Sequence, residues 1–490
     1  MNSLIKNELT KIFHKKFIYI IFIILIFVLI LNYVIEREAY NSNSDKILDG
    51  ELASYERNLN ELPKDSEFYE ETSKTYKASI EKTKLKKKYP ENSWQRNYID
   101  LNGEGIITNM FISEGTDEYT TNKQKYDEFV KKLDTDNWQD LAKKDKEEYQ
   151  NQLKIAKQNK DDFLIQSLQD KIQIINWRLD KNISYAESNK NTLLKNWQSA
   201  SSLILSFKSN TTNNNEQSES NQSDYDTKKQ VQSAEGQKKL LEYAINNNLA
   251  DNMQDNLILN QMAIGTKADK DLIETFSSYS IIIVIAIVVV AGTIVSEEFN
   301  KGTIKLLLVK PYSRKKILAA KFIASFIIII LFSLAALFAQ FIIGGIFNGF
   351  NDYANNILVY NYTKQTVQNI NLWTYIGISF LCILPKFILL QTLAFALSTI
   401  FTNSPIAIAI PLLGTMGESI INNLILITKK ARFLYFFVTP NWDFSIYLFG
   451  EYPTYENLSI KFSILICLAY FVLMILLANV FFKRKEIKNI

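Results

Sequence analysis

Hydrophobic positions in this chain are gathered into blocks. Six runs rich in Ile, Leu and Phe occupy 17–35, 276–296, 318–347, 372–401, 406–427 and 462–482. At about 1.5 Å per residue, a helix from any of them can cross roughly 30 Å of hydrocarbon. A polar stretch, 36–275, separates the first run from the second. There the pattern changes: Leu153, Phe163, Ile165, Leu168, Ile172, Ile175 and Leu179 recur at helix-compatible spacing with charges between them. The pattern predicts an all-α membrane protein of six transmembrane helices, with a large, mainly helical domain between the first two.

Further detail comes from the segments around the runs. Residues 1–16 predict an amphipathic interfacial helix, with Leu4, Ile5, Leu9, Ile12 and Phe13 near one face and Lys6, Glu8 and Lys11 off it. The run at 17–35 exceeds a typical signal-peptide core of roughly 7–15 residues and no A-x-A site follows, so it predicts an uncleaved anchor. Within 36–275, Trp94, Trp138, Trp177 and Trp197 are candidate anchors of helix contacts. Gly103, Gly105 and Gly115 predict a loop or short strand, and 234–260 predicts a further helix. The segment 209–230, SNTTNNNEQSESNQSDYDTKKQ, predicts a disordered loop. Residues 348–371 read as a short polar loop, 428–461 as extracellular re-entrant or interfacial helices, and 483–490 as a cytoplasmic tail.

Charge divides the chain in the same way. The net charge is +4, but the apolar part carries +12 and the insert −8. An acidic insert is a poor nucleic-acid binder, so no nucleic-acid partner is expected. With six spans both termini share a side. Lys and Arg concentrate at the N-terminus, in the loop after the second span and at the C-terminus. The positive-inside rule therefore predicts cytoplasmic termini and an extracellular 36–275. Lys429, Lys430 and Arg432 run against this assignment, which re-entrant helices between the last two spans would soften. The Asn-, Lys- and Ile-rich composition fits a low-GC Gram-positive bacterium.

The segment 295–321, VSEEFNKGTIKLLLVKPYSRKKILAAK, carries seven basic residues against Glu297 and Glu298 and is too short for a domain. Its order of Glu297 and Glu298, Gly302 and Thr303, a Leu triplet, Pro311, Ser313 and Arg314, and a later Lys321 resembles the loop after the second span of ABC-2 type permeases. These are the membrane subunits of ATP-binding-cassette exporters. The resemblance covers 1–35 and 276–490. It implies that 297–317 forms a coupling helix against a separate cytoplasmic ATPase subunit, with Glu297, Glu298, Gly302, Thr303, Pro311, Ser313 and Arg314 as coupling residues. It also implies a second permease copy or related permease. The other readings of these residues are plainer: a solvated charge at a helix start for the glutamates, and contact with an anionic leaflet for Arg314, Lys315 and Lys316. The insert departs from minimal ABC-2 permeases, which leaves the substrate open.

No G-x-x-x-x-G-K-[ST] occurs in the chain. No catalytic residue, metal ligand or cofactor-binding residue is therefore assigned to it, and ATP and Mg would sit on the partner subunit. The two cysteines, Cys382 and Cys467, lie in apolar runs and read as packing residues. Two charges lie inside spans, Lys386 and Glu418. Lys386 is 15 positions before Phe401 and Glu418 is 13 after Pro405. At about 1.5 Å per residue both lie roughly 20–22 Å from the turn between their helices, so a Lys386–Glu418 pair is expected. The expected function is the permease subunit of an ATP-driven exporter rather than an enzyme, with antimicrobial peptides, lipids, drugs or ions as candidate cargo. The alternatives are a MacB-type mechanotransmission permease, which has four spans, and a non-transporting surface receptor or secretion-accessory protein.

Overall fold

The computed structural model describes residues 1–40, 44–65, 68–135, 137–213, 224–249, 258–260, 263–303, 312–353, 356–401, 403–427, 432–456 and 458–484. Among the described residues, six helices are long and apolar enough to cross a membrane: Lys16–Ile35, Ser280–Asn300, Arg314–Asn348, Leu372–Ile400, Ser404–Leu426 and Ile460–Arg484. They are called the first to sixth spans below. The third begins at Arg314, inside the segment 297–317 read as a loop, because the Ser313 hydroxyl caps it by accepting from Lys316 N.

The chain divides into two compact units. One comprises Met1–Val34, Ser223–Gly236 and Ile258–Ile490; the other comprises Ile35–Gln222 and Gln237–Leu257. In the first, apolar unit the span helices share one core, with Leu25, Leu29, Ile287, Ala291, Ile329, Phe387 and Phe395 fully buried. The second span packs against the third, fourth and fifth, and the sixth against the fourth.

Two expectations fail in the segments that lead into the sheet. Residues 348–371 are not a plain polar loop: Asn356–Asn361 and Thr366–Asn371 form an antiparallel hairpin. With Ile258–Asn260 and Ala263–Gly265 they make a four-stranded antiparallel sheet, β1 to β4 in chain order. The helix expected over 234–260 ends at Asn246, and Ile258–Asn260 is β1. The first strand of the hairpin, β3, places Ile357, Leu358, Val359 and Tyr360 in the interior. Asn371 then caps the fourth span by accepting from Trp373 N and Thr374 N. After the fifth span, Arg432–Phe436, Thr439–Asn441 and Phe444–Gly450 form short 3-10 turns.

The second unit, the insert, is helical. Ser44–Glu61 lies against Tyr69–Lys87, which packs on Glu104–Ile112. That helix packs in turn on Tyr119–Leu133. Trp138–Asn159 and Asp162–Asp180 form an antiparallel hairpin, capped at its two starts by Asn137 and Asp161. Asn189–Asn213 packs on the second of these. The core holds Leu85, Ile99, Ile107, Leu133, Leu141 and Ala142. Trp177 meets Trp197 edge-on at 5.0 Å, and Trp138 meets Tyr185 at 6.2 Å.

The loop or strand expected around Gly103 and Gly105 is instead a π-turn, Ile99–Gly103, continuing into the helix Glu104–Ile112. Ile107 and Met110 are buried there at helical spacing. Gly103 serves close packing: a Cβ at that position would stand 2.8 Å from the Phe129 ring. The low-complexity segment 209–230 lies partly in helices, up to Asn213 and from Asp224. The rest of it falls outside the described residues.

Candidate functional site

The N-terminal helix, Asn2–Phe13, buries the stripe Leu4, Glu8, Ile12 at i, i+4 spacing. A carboxylate thus occupies the middle of its apolar face, where the sequence pattern had set it aside with Lys6 and Lys11. The reason lies in the third span. Lys321 is 0% exposed and its ammonium meets Glu8 Oε2 at 2.7 Å, Glu298 Oε1 at 2.8 Å and the Ile294 carbonyl at 3.1 Å. The ammonium donates to Glu8 and to the Ile294 carbonyl and forms an ion pair with Glu298. Burying an ion costs several kcal/mol unless it is paired and hydrogen-bonded in this way.

Lys11 closes the cluster, donating to Glu8 Oε1 at 2.9 Å and Glu298 Oε1 at 2.8 Å. Next to it, Lys15 pairs with Glu297 at 2.8 Å and donates to the Thr293 hydroxyl at 3.0 Å. Burial pushes the Glu8 carboxyl up, but Lys321 and Lys11 outweigh it and hold the group below its ordinary 4.5. Burial also opposes the charge on Lys11, and there Glu298 and Glu8 win and raise it. For Lys15 burial prevails over Glu297 and lowers it. The second carboxylate oxygen of Glu298 is buried without a hydrogen bond.

The end of the second span is tied to other helix ends through hydroxyls. Ser296 N donates to Ser398 Oγ at 2.9 Å, and the Ser296 and Ser404 hydroxyls lie 2.7 Å apart. Ser398 closes the fourth span and Ser404 opens the fifth. Arg314 donates to the Lys483 carbonyl at 3.1 Å, at the end of the sixth span. The ends of all these helices therefore gather around the segment 295–321. Gly302 adopts φ +66°, the left-handed conformation glycine tolerates best, just after the helix Ser296–Asn300. Thr303 donates to the Glu298 carbonyl at 3.4 Å. Pro311, with the rest of 304–311 in the middle of the expected coupling helix, lies outside the described residues.

A second charged cluster lies within the spans. Lys386 Nζ stands 2.7 Å from Glu418 Oε2. The other Glu418 oxygen accepts from Trp442 Nε1 at 2.8 Å, and the Lys386 ammonium lies 5.3 Å over the Trp442 ring. Trp442 sits after the 3-10 turn Thr439–Asn441, whose Asn441 accepts from the Ser463 hydroxyl at 2.8 Å. The role of Trp442 was not read from the sequence, and neither were those of Glu8, Ser296, Ser398 and Ser404. Among the described residues, no three His, Cys, Asp or Glu side chains gather to hold a metal ion.

Comparison with known proteins adds a class but no activity. The model of a family described as "Protein of unknown function (DUF2705)" matches residues 253–488. The "Uncharacterized protein YhcI" of Bacillus subtilis (strain 168) is 28% identical over 273 residues, 53% of this chain and 83% of that protein. The "Uncharacterized membrane protein YdbK" of the same organism is 26% identical over 241 residues, 47% of this chain and 90% of that protein. No solved structure matches the chain. With its six apolar helices, the chain is a mostly helical membrane protein similar to these.

Proposed function

We propose that this chain is the permease subunit of an ATP-driven exporter of the ABC-2 type, working with a separate cytoplasmic ATPase and a second permease. In this reading the termini and 297–317 face the cytoplasm, and the insert faces outside. One observation carries the proposal: the two ends of the segment 295–321 are clamped together, Glu298 to Lys321, and both to the N-terminal helix. A force on the intervening residues would reach the second span, the third span and that helix at once. The Ser398 and Ser404 hydrogen bonds would pass it on to the fourth and fifth. The motif around Gly302, Thr303, Ser313 and Arg314 supplies the family likeness.

The test is co-purification of the tagged chain expressed with its neighbouring genes, followed by vanadate-sensitive ATP turnover. A bound ATPase whose turnover is uncoupled by Thr303→Ala or Gly302→Val supports the reading. If no ATPase is retained in mild detergent, the coupling argument fails and a non-transporting surface protein becomes the better account.

A further inference from the structure

The fifth span is the least apolar of the six and also the least covered by the rest of the chain, 11% of it being buried against 67% of the second. The first and sixth spans are nearly as uncovered, but both are strongly apolar, as a face turned to lipid requires. On the fifth span Leu413, Met416 and Ile420 are 64%, 69% and 64% exposed. Polar groups lie among them. Ser419 and Asn423 are exposed one turn apart, and the Glu418 side chain stays 22% exposed although Lys386 and Trp442 hold both its oxygens. In the span Ser404–Leu426, at about 1.5 Å per residue, Glu418 lies roughly 21 Å from one end and 12 Å from the other, well inside the hydrocarbon.

Acyl chains offer such groups no hydrogen bonds, and polar residues at this depth ordinarily face protein. Gly414 and Gly417 lie on the same stretch, and a Cβ at either would meet nothing within 4 Å. Glycines with open space before them let a second helix approach closely. The charges on this surface cancel, Lys386 against Glu418 at 2.7 Å, so two such surfaces meet without repulsion. Ser419 and Asn423 each donate and accept, so either can pair with its own copy across a two-fold axis. All copies in one membrane share an orientation, so an axis along the membrane normal sets the fifth span parallel to itself, each residue near its counterpart.

We propose that the fifth span is the contact surface between two copies of this chain, centred on Gly414, Gly417 and Ser419. The inference rests on the proposed function for the presence of a second permease, and adds that this permease is the same chain and which helix it meets. The test is oxidative cross-linking of the full chain in native membranes, with one added cysteine: Leu413→Cys, Met416→Cys or Ile420→Cys. The unaltered chain, with Cys382 and Cys467, is the blank. A cross-linked dimer above the blank is expected for at least one of the three. None is expected for Leu465→Cys on the sixth span, where Leu465 is also 64% exposed. Gly414→Phe added to the responsive variant is expected to abolish the dimer, and its ring enters open space in the single chain, so the fold is spared. No dimer from any of the three overturns the proposal. So does equal cross-linking through Leu465→Cys, the mark of random collision, or a dimer that survives Gly414→Phe. Labelling of Met416→Cys by a membrane-impermeant maleimide without cross-linking also overturns it, as the mark of a water-filled path. The exporter reading is judged separately. An ATPase retained by a chain that does not cross-link overturns this contact and leaves the exporter standing; a dimer that retains no ATPase does the reverse.

Discussion

Lys321→Met removes a fully buried charge from the apolar unit. The substitution keeps an unbranched side chain one atom shorter and removes the hydrogen bonds to Glu8 at 2.7 Å and to the Ile294 carbonyl at 3.1 Å together with the ion pair to Glu298 at 2.8 Å. Lys11 remains to serve both carboxylates, but its own side chain is 44% exposed and cannot replace a buried ammonium. Breaking a buried pair by removing one partner costs about 3–5 kcal/mol. Both cysteines, Cys382 and Cys467, lie in the apolar unit, and Cys467 is buried. A thiol-reactive dye followed during heating therefore reports the unfolding of that unit. The midpoint should fall clearly in Lys321→Met. Glu8→Met added to it should recover more than half of the loss, because the stranded carboxylate is gone.

The pH profile sharpens the test. In the native chain the Glu8 carboxyl is held below 4.5, so its contribution is present above 4.5 and lost as pH falls through the depressed value. In Lys321→Met Glu8 keeps only the half-exposed Lys11 against its burial, so its carboxyl should rise and the loss of stability on acidification should shrink. An unchanged midpoint in Lys321→Met, or a double substitution no better than the single, refutes the reasoning.

Glu418→Gln should lower the same midpoint by stranding Lys386, and the swap Lys386→Glu with Glu418→Lys should restore part of it. A swap no better than the sum of the single changes sinks the pair as a stabilising contact. Tyr98→Phe removes the 2.6 Å hydrogen bond to the buried Asp145 and should cost the insert about 1–3 kcal/mol. Urea unfolding read by tryptophan emission checks this, since Trp94, Trp138, Trp177 and Trp197 all lie in the insert; an unmoved transition speaks against it. Gly302→Val should destabilise by about 1–2 kcal/mol because a branched residue resists φ +66°, and Gly302→Asn should cost less. Equal midpoints for the two variants would show that the conformation relaxes freely.

The spans were legible because a run of about twenty apolar residues is long enough to cross a bilayer and too apolar for a water-facing surface. The depth of Lys386 and Glu418 was legible for a related reason, since a helix has a fixed rise and their helices share a short turn. The hairpin after the third span was harder to see. Its alternation of Val, Tyr, Thr and Asn over 356–371 is a strand signal, but it sits in a connection short enough to pass for a loop. Gly103 and Gly105 misled in the opposite sense. Glycine punctuates chains often, yet Ile106, Ile107, Met110 and Phe111 fall at helical spacing, and Gly103 is small because Phe129 needs the room. Glu8 was out of reach of any local pattern. Its burial depends on a lysine 313 residues away, and periodicity carries no information at that range.

That separation has a consequence for biogenesis. Glu8 leaves the ribosome 313 residues before Lys321. At about 5–20 residues per second this is a delay of roughly 15 to 60 s. Throughout it Glu8 has only the half-exposed Lys11 of its own helix as a partner, and the N-terminal helix cannot settle into its final seat. It must wait at the membrane surface until the third span arrives, so the N-terminus of this protein is made first and docked late.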